Sequence, residues 1–550
     1  MKVFFKFAFI LLFFTNLSNE NLFAQENFSS VPLASFEHIP DSTRLRKTIA
    51  SSWLLQDISL LENLKPTDYT DGTGKRFSVE CVSSDDVLEV RIIPYDTDFY
   101  NKQKASKAVD AEAEQKALLA KTGKEKGTNE NLEVPSPEPV ETKTTAILES
   151  TETENETKIT EKDEDAKKTE PLSPPENLVP AVFDKRIPQG TWVLRRDKKT
   201  GEAISITIYL RESSDLFIVL HPAKNERIKD KSLVDFCLFG AYVRRDVAIA
   251  FSFESLYYTS LNQLRERTKN VLPWEIFNPP TIYNTVEATS KIVAQRMKNL
   301  VYIDDGAFDE NGIPRYIETG KGQTENEIRY ASNIAEVPIG KKIRGGVNSF
   351  GLVKWIVDGI IKPIAGSGTY INSLKKPTNI PNTGFTKSFL EKRDLFFGLD
   401  WIRNLAAARL SLTMQKTVYP NQLGIDVKVE PFSFSLPVQP NPTIKQKFAG
   451  YFKSAGYQIE YLKPLLYYLA CTEPGNFYLA SINHETGTPA LRQYNHVVAI
   501  FPYFDLLGTF HIDIYENTES TNIERFVAMN RGNFISLVRI KAPEIGFFAP

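Results

Sequence analysis

Residues 345–355 read GGVNSFGLVKW. A glycine pair leads into Asn348 and Ser349, and Phe350, Val353, Val357 and Ile361 follow at helical spacing. The pattern predicts a helix over 348–361, with Asn and Ser as good residues for its start. A side chain there meets the positive end of the helix dipole and free N–H groups. Ser349 is therefore a helix-start residue with two readings, structural cap or reacting group.

Working outward, further helices are expected over 387–415 and 444–470. Strands are expected over 475–482, 496–501, 508–516 and 533–540. Helices first and strands last is an α+β order. Two later stretches stand in a suggestive series with the first. PGNFYLASINHETG covers 474–487, and YNHVVAIFPYFDLLGTFHIDIYENT covers 494–518, a strand with His496 near its start and a turn at Asp505–Gly508.

This series resembles the NlpC-type papain-like cysteine peptidases that cut peptide bonds in bacterial cell walls. Their signature runs Asp-Cys-Ser-Gly-hydrophobic-Val at a helix start, then a Pro-Gly-Asp strand, then a strand opening His-Val. Here Asn348, Ser349, Phe350, Gly351, Leu352 and Val353 take the first places, Pro474-Gly475-Asn476 the second and His496-Val497 the third. The resemblance covers about a third of 340–520, with a long insertion around 375–465, and serine stands where the family has its cysteine. It implies a papain-like domain over 335–550, Ser349 in the nucleophile position and His496 as base.

The family chemistry suits a thiol better than an alcohol. A helix terminus stabilises an anion by up to ~2 kcal/mol, roughly 1.5 pKa units. That makes a cysteine reactive near neutral pH but cannot ionise serine. Ser349 would need His496 to take its proton in the transition state, beside a matched oxyanion hole. Loss of hydrolysis is the expectation. Folding the hairpin about Leu506-Leu507 brings Glu516 and Asn517 opposite His496, ahead of Asp513, as candidates to orient it. Each of these residues also has a plain reading: a capping serine, a satisfied strand histidine, solvated strand-end polarity.

The N-terminal text is different. MKVFFKFAFILLFFTNLSNENLFAQ has the layout of a signal peptide over 1–24: Lys2 and Lys6, an apolar run Val3–Phe14, then Ala24. The apolar run is short for a bilayer span and no later segment reaches the required length. An exported protein, periplasmic or extracellular, is expected. A segment over 25–70 contains an amphipathic helix opened by Pro40, Asp41 and Ser42. The β-rich domain, 71–260, has two strands in 77–96 and several more between QGTWVLRRD and VAIAFSFESLYY, which suggests an antiparallel sandwich or barrel. Lys, Glu, Thr, Ser and Pro dominate 101–180, so that insertion is expected to be disordered. Residues 261–334 form a helical and hairpin connector turning at Asp309–Gly312.

The 550 residues are 42% apolar and 24% charged, with a net charge of −2, which gives no argument for nucleic acid or an anionic membrane. Cys81, Cys237 and Cys471 allow one intramolecular disulfide at most, Cys81–Cys237 by preference, with free buried thiols the equal alternative. His484, His496 and His511 lie in one region but without metal-site spacing, so no metal or cofactor is expected. The DDGAFDENG stretch lacks a calcium-loop series and reads as a hairpin turn. Trp192, Trp355 and Trp401 read as core. The functional expectation is an exported envelope protein with a degenerate peptidase groove, binding cell-wall peptides or another envelope protein. The alternatives are an active amidohydrolase or endopeptidase using Ser349 and His496, or an interaction module working through the β domain.

Overall fold

The computed structural model describes residues 39–94 and 190–544, apart from intervals of which 278–283, 332–342, 379–395 and 429–450 are the longest. The expected signal peptide and the expected disordered insertion lie outside the described residues. Close contacts group the described residues as one unit.

The N-terminal helical text divides into α1 (Thr43–Ile49), a π-helical turn (Ala50–Leu54) and α2 (Ile58–Leu61). Ser42 caps α1, and Asp57 starts α2 by accepting from the Ser59 N–H, so the predicted helix is broken at a residue that favours caps. Eight strands follow: β1 (Thr67–Thr70), β2 (Arg76–Ser83), β3 (Val87–Pro94), β4 (Trp192–Asp197), β5 (Ala203–Tyr209), β6 (Leu216–Pro222), β7 (Ser232–Leu238) and β8 (Ala241–Ile249). They form one antiparallel sheet in sequence order, β1 to β8. The β3–β4 pair, with Ile92 opposite Trp192, joins the strands on either side of the long insertion.

That single sheet replaces the expected sandwich or barrel. Its inward residues, among them Val79, Ile92, Leu194, Ile206, Ile218 and Phe236, pack partly against the C-terminal half rather than against a second sheet of their own. Strand alternation alone cannot say what covers the apolar face. The disulfide preference is corrected too: all three cysteines are free. Cys81 lies on β2 and Cys237 on β7, five strands apart. At about 4.8 Å per strand that separation is far beyond the reach of a disulfide.

The connector holds α3 (Leu261–Thr268), capped by Ser260 and Gln263, and α4 (Asn284–Met297). The short strand β9 (Leu300–Tyr302) and the hairpin β10 (Ala307–Phe308) and β11 (Pro314–Arg315) follow. The Asp309 carboxylate accepts from the Asn311 and Ile313 N–H groups and from Arg315, so this turn is a satisfied hairpin. After α5 (Glu325–Ala331), β12 (Gly345–Val347) pairs in parallel with β9. It leads directly into α6 (Ser349–Ala365).

Beyond α6 come α7 (Ile371–Leu374), α8 (Phe397–Met414), the short strands β13 (Tyr451–Phe452) and β14 (Gly456–Gln458), and α9 (Leu462–Thr472). Among the described residues, the helix expected over 444–470 begins at Leu462. Gly456, at φ +102 and where a Cβ would overlap the Ile535 carbonyl, marks the strand pairing that takes up part of that text. The remaining elements are β15 (Asn476–Thr486), β16 (Leu491–Phe504), β17 (Phe510–Glu516), β18 (Glu519–Thr521), α10 (Ile523–Met529) and β19 (Phe534–Lys541). Seven strands make a second antiparallel sheet, ordered β13-β14-β19-β15-β16-β17-β18.

This second sheet is covered on both faces. On one, Leu479, Val497, Ala499, Phe501 and Tyr515 pack with α4, α6 and α8. On the other, Ala480, Ile482, Val498, Ile500 and Ile514 share a core with α9, α10 and the inner face of the N-terminal sheet. The Phe239 ring meets Tyr467 of α9 at 5.4 Å and Phe510 of β17 at 6.3 Å, which ties the β7–β8 turn to the C-terminal sheet. The protein is an α+β structure with an eight-stranded antiparallel sheet at its N-terminal end.

Candidate functional site

Ser349 is the first residue of α6 and is 5% exposed. The cap is its neighbour: the Asn348 side chain accepts from the Gly351 N–H at 2.9 Å and donates to the Asp304 carbonyl at 3.0 Å. The Asn348 N–H donates to the Gly306 carbonyl. Gly351 is needed because a Cβ there would overlap that same Gly306 carbonyl, and Gly345 is needed against the Phe308 ring. Gly346 meets the Ile303 side chain, so the glycines of GGVNSFG are explained by close packing on residues 303–308.

The rest of the helix start is also occupied. Phe350 and Phe397 meet edge to face at 5.0 Å, and the Trp401 indole donates to the Phe350 carbonyl. Trp192, Trp355 and Trp401 are all core residues. Along α6 the buried positions run all round the helix rather than in one stripe, and they include an ion pair between Lys354 and Asp358. Burial raises the Asp358 carboxyl above its usual range, opposed by Lys354 and by hydrogen bonds from Thr369.

His496 occupies a different face of the molecule. Side chains alternate along a strand, and Val497, Ala499 and Phe501 point to the α6 side while Val498 and Ile500 point away. His496 lies directly opposite Ile482, whose side chain is in the core away from α6. The register shift between Ile482 and Asn483 leaves Asn495 without an opposite partner, which sets this parity for the rest of the strand. Ser349 and His496 are consequently on opposite sides of the sheet, and the predicted nucleophile–base pair is not assembled.

The histidine does have its expected partner. Glu516 Oε2 lies 2.8 Å from His496 Nε2, and Oε1 accepts from the Thr521 hydroxyl at 2.9 Å. Burial acts to raise the Glu516 carboxyl, but the hydrogen bonds from His496 and Thr521 outweigh it, and the group sits below its ordinary value. Asn517 and Thr518 both take left-handed backbone angles between β17 and β18, the geometry of a two-residue hairpin turn. That turn ends β17 beside His496.

Asp513 is excluded as an orienting residue for His496. It faces the α4 side, where its Oδ2 accepts from Ser290 at 2.5 Å and from Tyr503 at 3.2 Å, and burial raises its carboxyl above the usual range. A slipped register would have let Asp513 reach His496, but it lies three residues from Glu516 and strand alternation puts the two on opposite faces of the sheet.

A cleft of about 590 Å³ opens at the His496 end of the sheet. His484, His496, Glu516 and Asn517 line it from the strands, and Arg525, Met529 and Asn530 line it from α10. His484 Nδ1 is buried and has no hydrogen-bond partner among the described residues. Burial lowers the His484 pKa, and the nearby His496 lowers it further. His484 was visible in sequence only as a possible metal ligand. His511 is held apart by Asp505 at 2.9 Å and stacks on Tyr503, and so does not join the cleft. The arrangement can offer a preset histidine–carboxylate pair, a cation and several amides to a polar ligand.

The family model described as "Domain of unknown function (DUF8515)" matches residues 35–121 and 136–276, so the N-terminal half is similar to that family. No curated protein matches the chain. No solved structure matches it either.

Proposed function

We propose that this chain is a binding protein of the cell envelope, and that the cleft between β16, β17 and α10 is its ligand site. Its C-terminal region is read as a degenerate NlpC-type domain: the order of helix and strands and the packing of α6 on β16 and its neighbours support that reading. Catalysis by Ser349 has no support from the geometry, since α6 and His496 lie on opposite faces of the sheet and Asn348 already occupies the Gly351 amide. The observation that carries a binding role is the buried Nδ1 of His484, without a partner among the described residues, beside the His496–Glu516 pair. A buried polar atom left unpaired costs about 1–3 kcal/mol, which a ligand hydrogen bond recovers.

Cell-wall peptides are the proposed ligand class. Their carboxylates match Arg525, their amines match Glu516, and their amide groups match Asn517 and Asn530. The signal-peptide layout at the N-terminus would bring the chain to the same compartment. Imidazole NMR with soluble cell-wall peptides tests this. The His484 and His496 resonances should shift on addition of peptide while His221 does not. Unmoved His484 and His496 signals at millimolar peptide would refute the assignment.

A further inference from the structure

We propose that His221, Asp235 and Asp246 form a binding site for a transition-metal dication of the zinc type on the outer part of the N-terminal sheet. The site is independent of the His496 cleft. His221 is the penultimate residue of β6, Asp235 lies in β7 and Asp246 in β8, so three adjacent strands each supply one ligand.

His221 pairs with both carboxylates, and the same spacing fits a coordination site. His221 Nε2 lies 3.5 Å from Asp235 Oδ1 and 3.4 Å from Asp246 Oδ1. Both distances exceed the 2.7–3.2 Å of an ordinary N–H···O bond. They match the ligand–ligand edge of roughly 3.4 Å that a tetrahedron with ~2.1 Å metal–ligand bonds requires. All three donor atoms lie within 4.8 Å of one another, and this is the one such group of three among the described residues.

The backbone holds the donors there. The pairing of β7 with β8 shifts between Val234 and Phe236, so that Arg245 and Asp246 stand against Asp235 alone. Asp246 takes φ +57, and its N–H donates to Asp235 Oδ1 at 2.7 Å. That oxygen keeps a second lone pair for a metal. Arg245 Nε approaches the other oxygen, Oδ2, at 3.8 Å. With one carboxylate facing Arg245, the second is left to attract a dication. The Asp235 side chain is 6% exposed and that of Asp246 is 66% exposed, so one wall is fixed and the other open to solvent or a fourth ligand. One nitrogen and two carboxylate oxygens suit zinc better than calcium, which takes six to eight oxygens.

Bound metal would link β6, β7 and the edge strand β8. Zinc titration of the chelator-treated full chain by calorimetry tests the proposal. Wild type should bind one equivalent that His496→Ala retains. His221→Ala and Asp246→Asn should each weaken that equivalent by at least about tenfold, as loss of a direct ligand should exceed the effect of an outer partner. Asparagine tolerates the left-handed angle at 246, so Asp246→Asn keeps the fold, which circular dichroism verifies. Zinc should also raise the melting temperature of wild type and not of Asp246→Asn. Absence of binding by wild type, or binding unchanged in either variant, would overturn the site.

Discussion

At the residue scale, Glu516 and Ser349 carry opposite expectations. Glu516 has a carboxyl below its ordinary value because His496 and Thr521 donate to it despite burial. A depressed carboxyl contributes stability that is present above the unfolded value, about 4.3, and is lost as pH falls through the folded value. Glu516→Gln should therefore cost about 1–3 kcal/mol at neutral pH, and the difference from wild type should shrink below about pH 4. Denaturant melts of both proteins across that range measure it; a gap that persists at low pH would show that the carboxylate charge is not the cause. Ser349→Cys offers the complementary test. Its thiol should react slowly with a thiol probe, and adding His496→Ala should leave that rate unchanged, because the two residues face opposite sides of the sheet. A rate that falls with loss of His496 would mean that they meet.

At the element scale, the helix start at Asn348 is set by packing on the 304–308 loop, and this orders the effects of substitution. Gly351→Ala should destabilise by about 1–3 kcal/mol through overlap with the Gly306 carbonyl. Asn348→Ala should cost about 1 kcal/mol as a lost cap, and Ser349→Ala less than either. Urea denaturation ranks them, and a Ser349→Ala cost above that of Gly351→Ala would contradict the packing account. Much of this element was legible: glycines, a capping pair and an apolar run announce a buried helix. The strands β15, β16, β17 and β19 were legible from their apolar text, and Glu516 was found by folding the hairpin about its turn. The face on which His496 points was not legible. A bulge at Asn495 sets it, and one extra residue reverses a period-two pattern without leaving a local signal. Gly456 and the strand pairing around it hid in the same way within text that resembles a helix. The His221 group was invisible because its members are brought together only by the register of three strands.

At the scale of the whole molecule, the two sheets share a single apolar core, with Phe239, Tyr467 and Phe510 at their junction. This explains why the N-terminal strands could be read one by one while their architecture could not: the surface that covers them is assembled from the N-terminal helices, from residues 251–277 and from much later text at Tyr457 and beyond. The shared core also leaves the His496 cleft at the sheet end, beside α10 and on the side away from α6. The central claim is that this cleft, and not the start of α6, is the functional site. Calorimetric titration of soluble cell-wall peptides into wild type, Ser349→Ala and Glu516→Gln tests it most directly. The account predicts binding by wild type, unchanged affinity in Ser349→Ala and a loss of about tenfold or more in Glu516→Gln, the size of one charge-assisted hydrogen bond. Affinity lost in Ser349→Ala and retained in Glu516→Gln would contradict it.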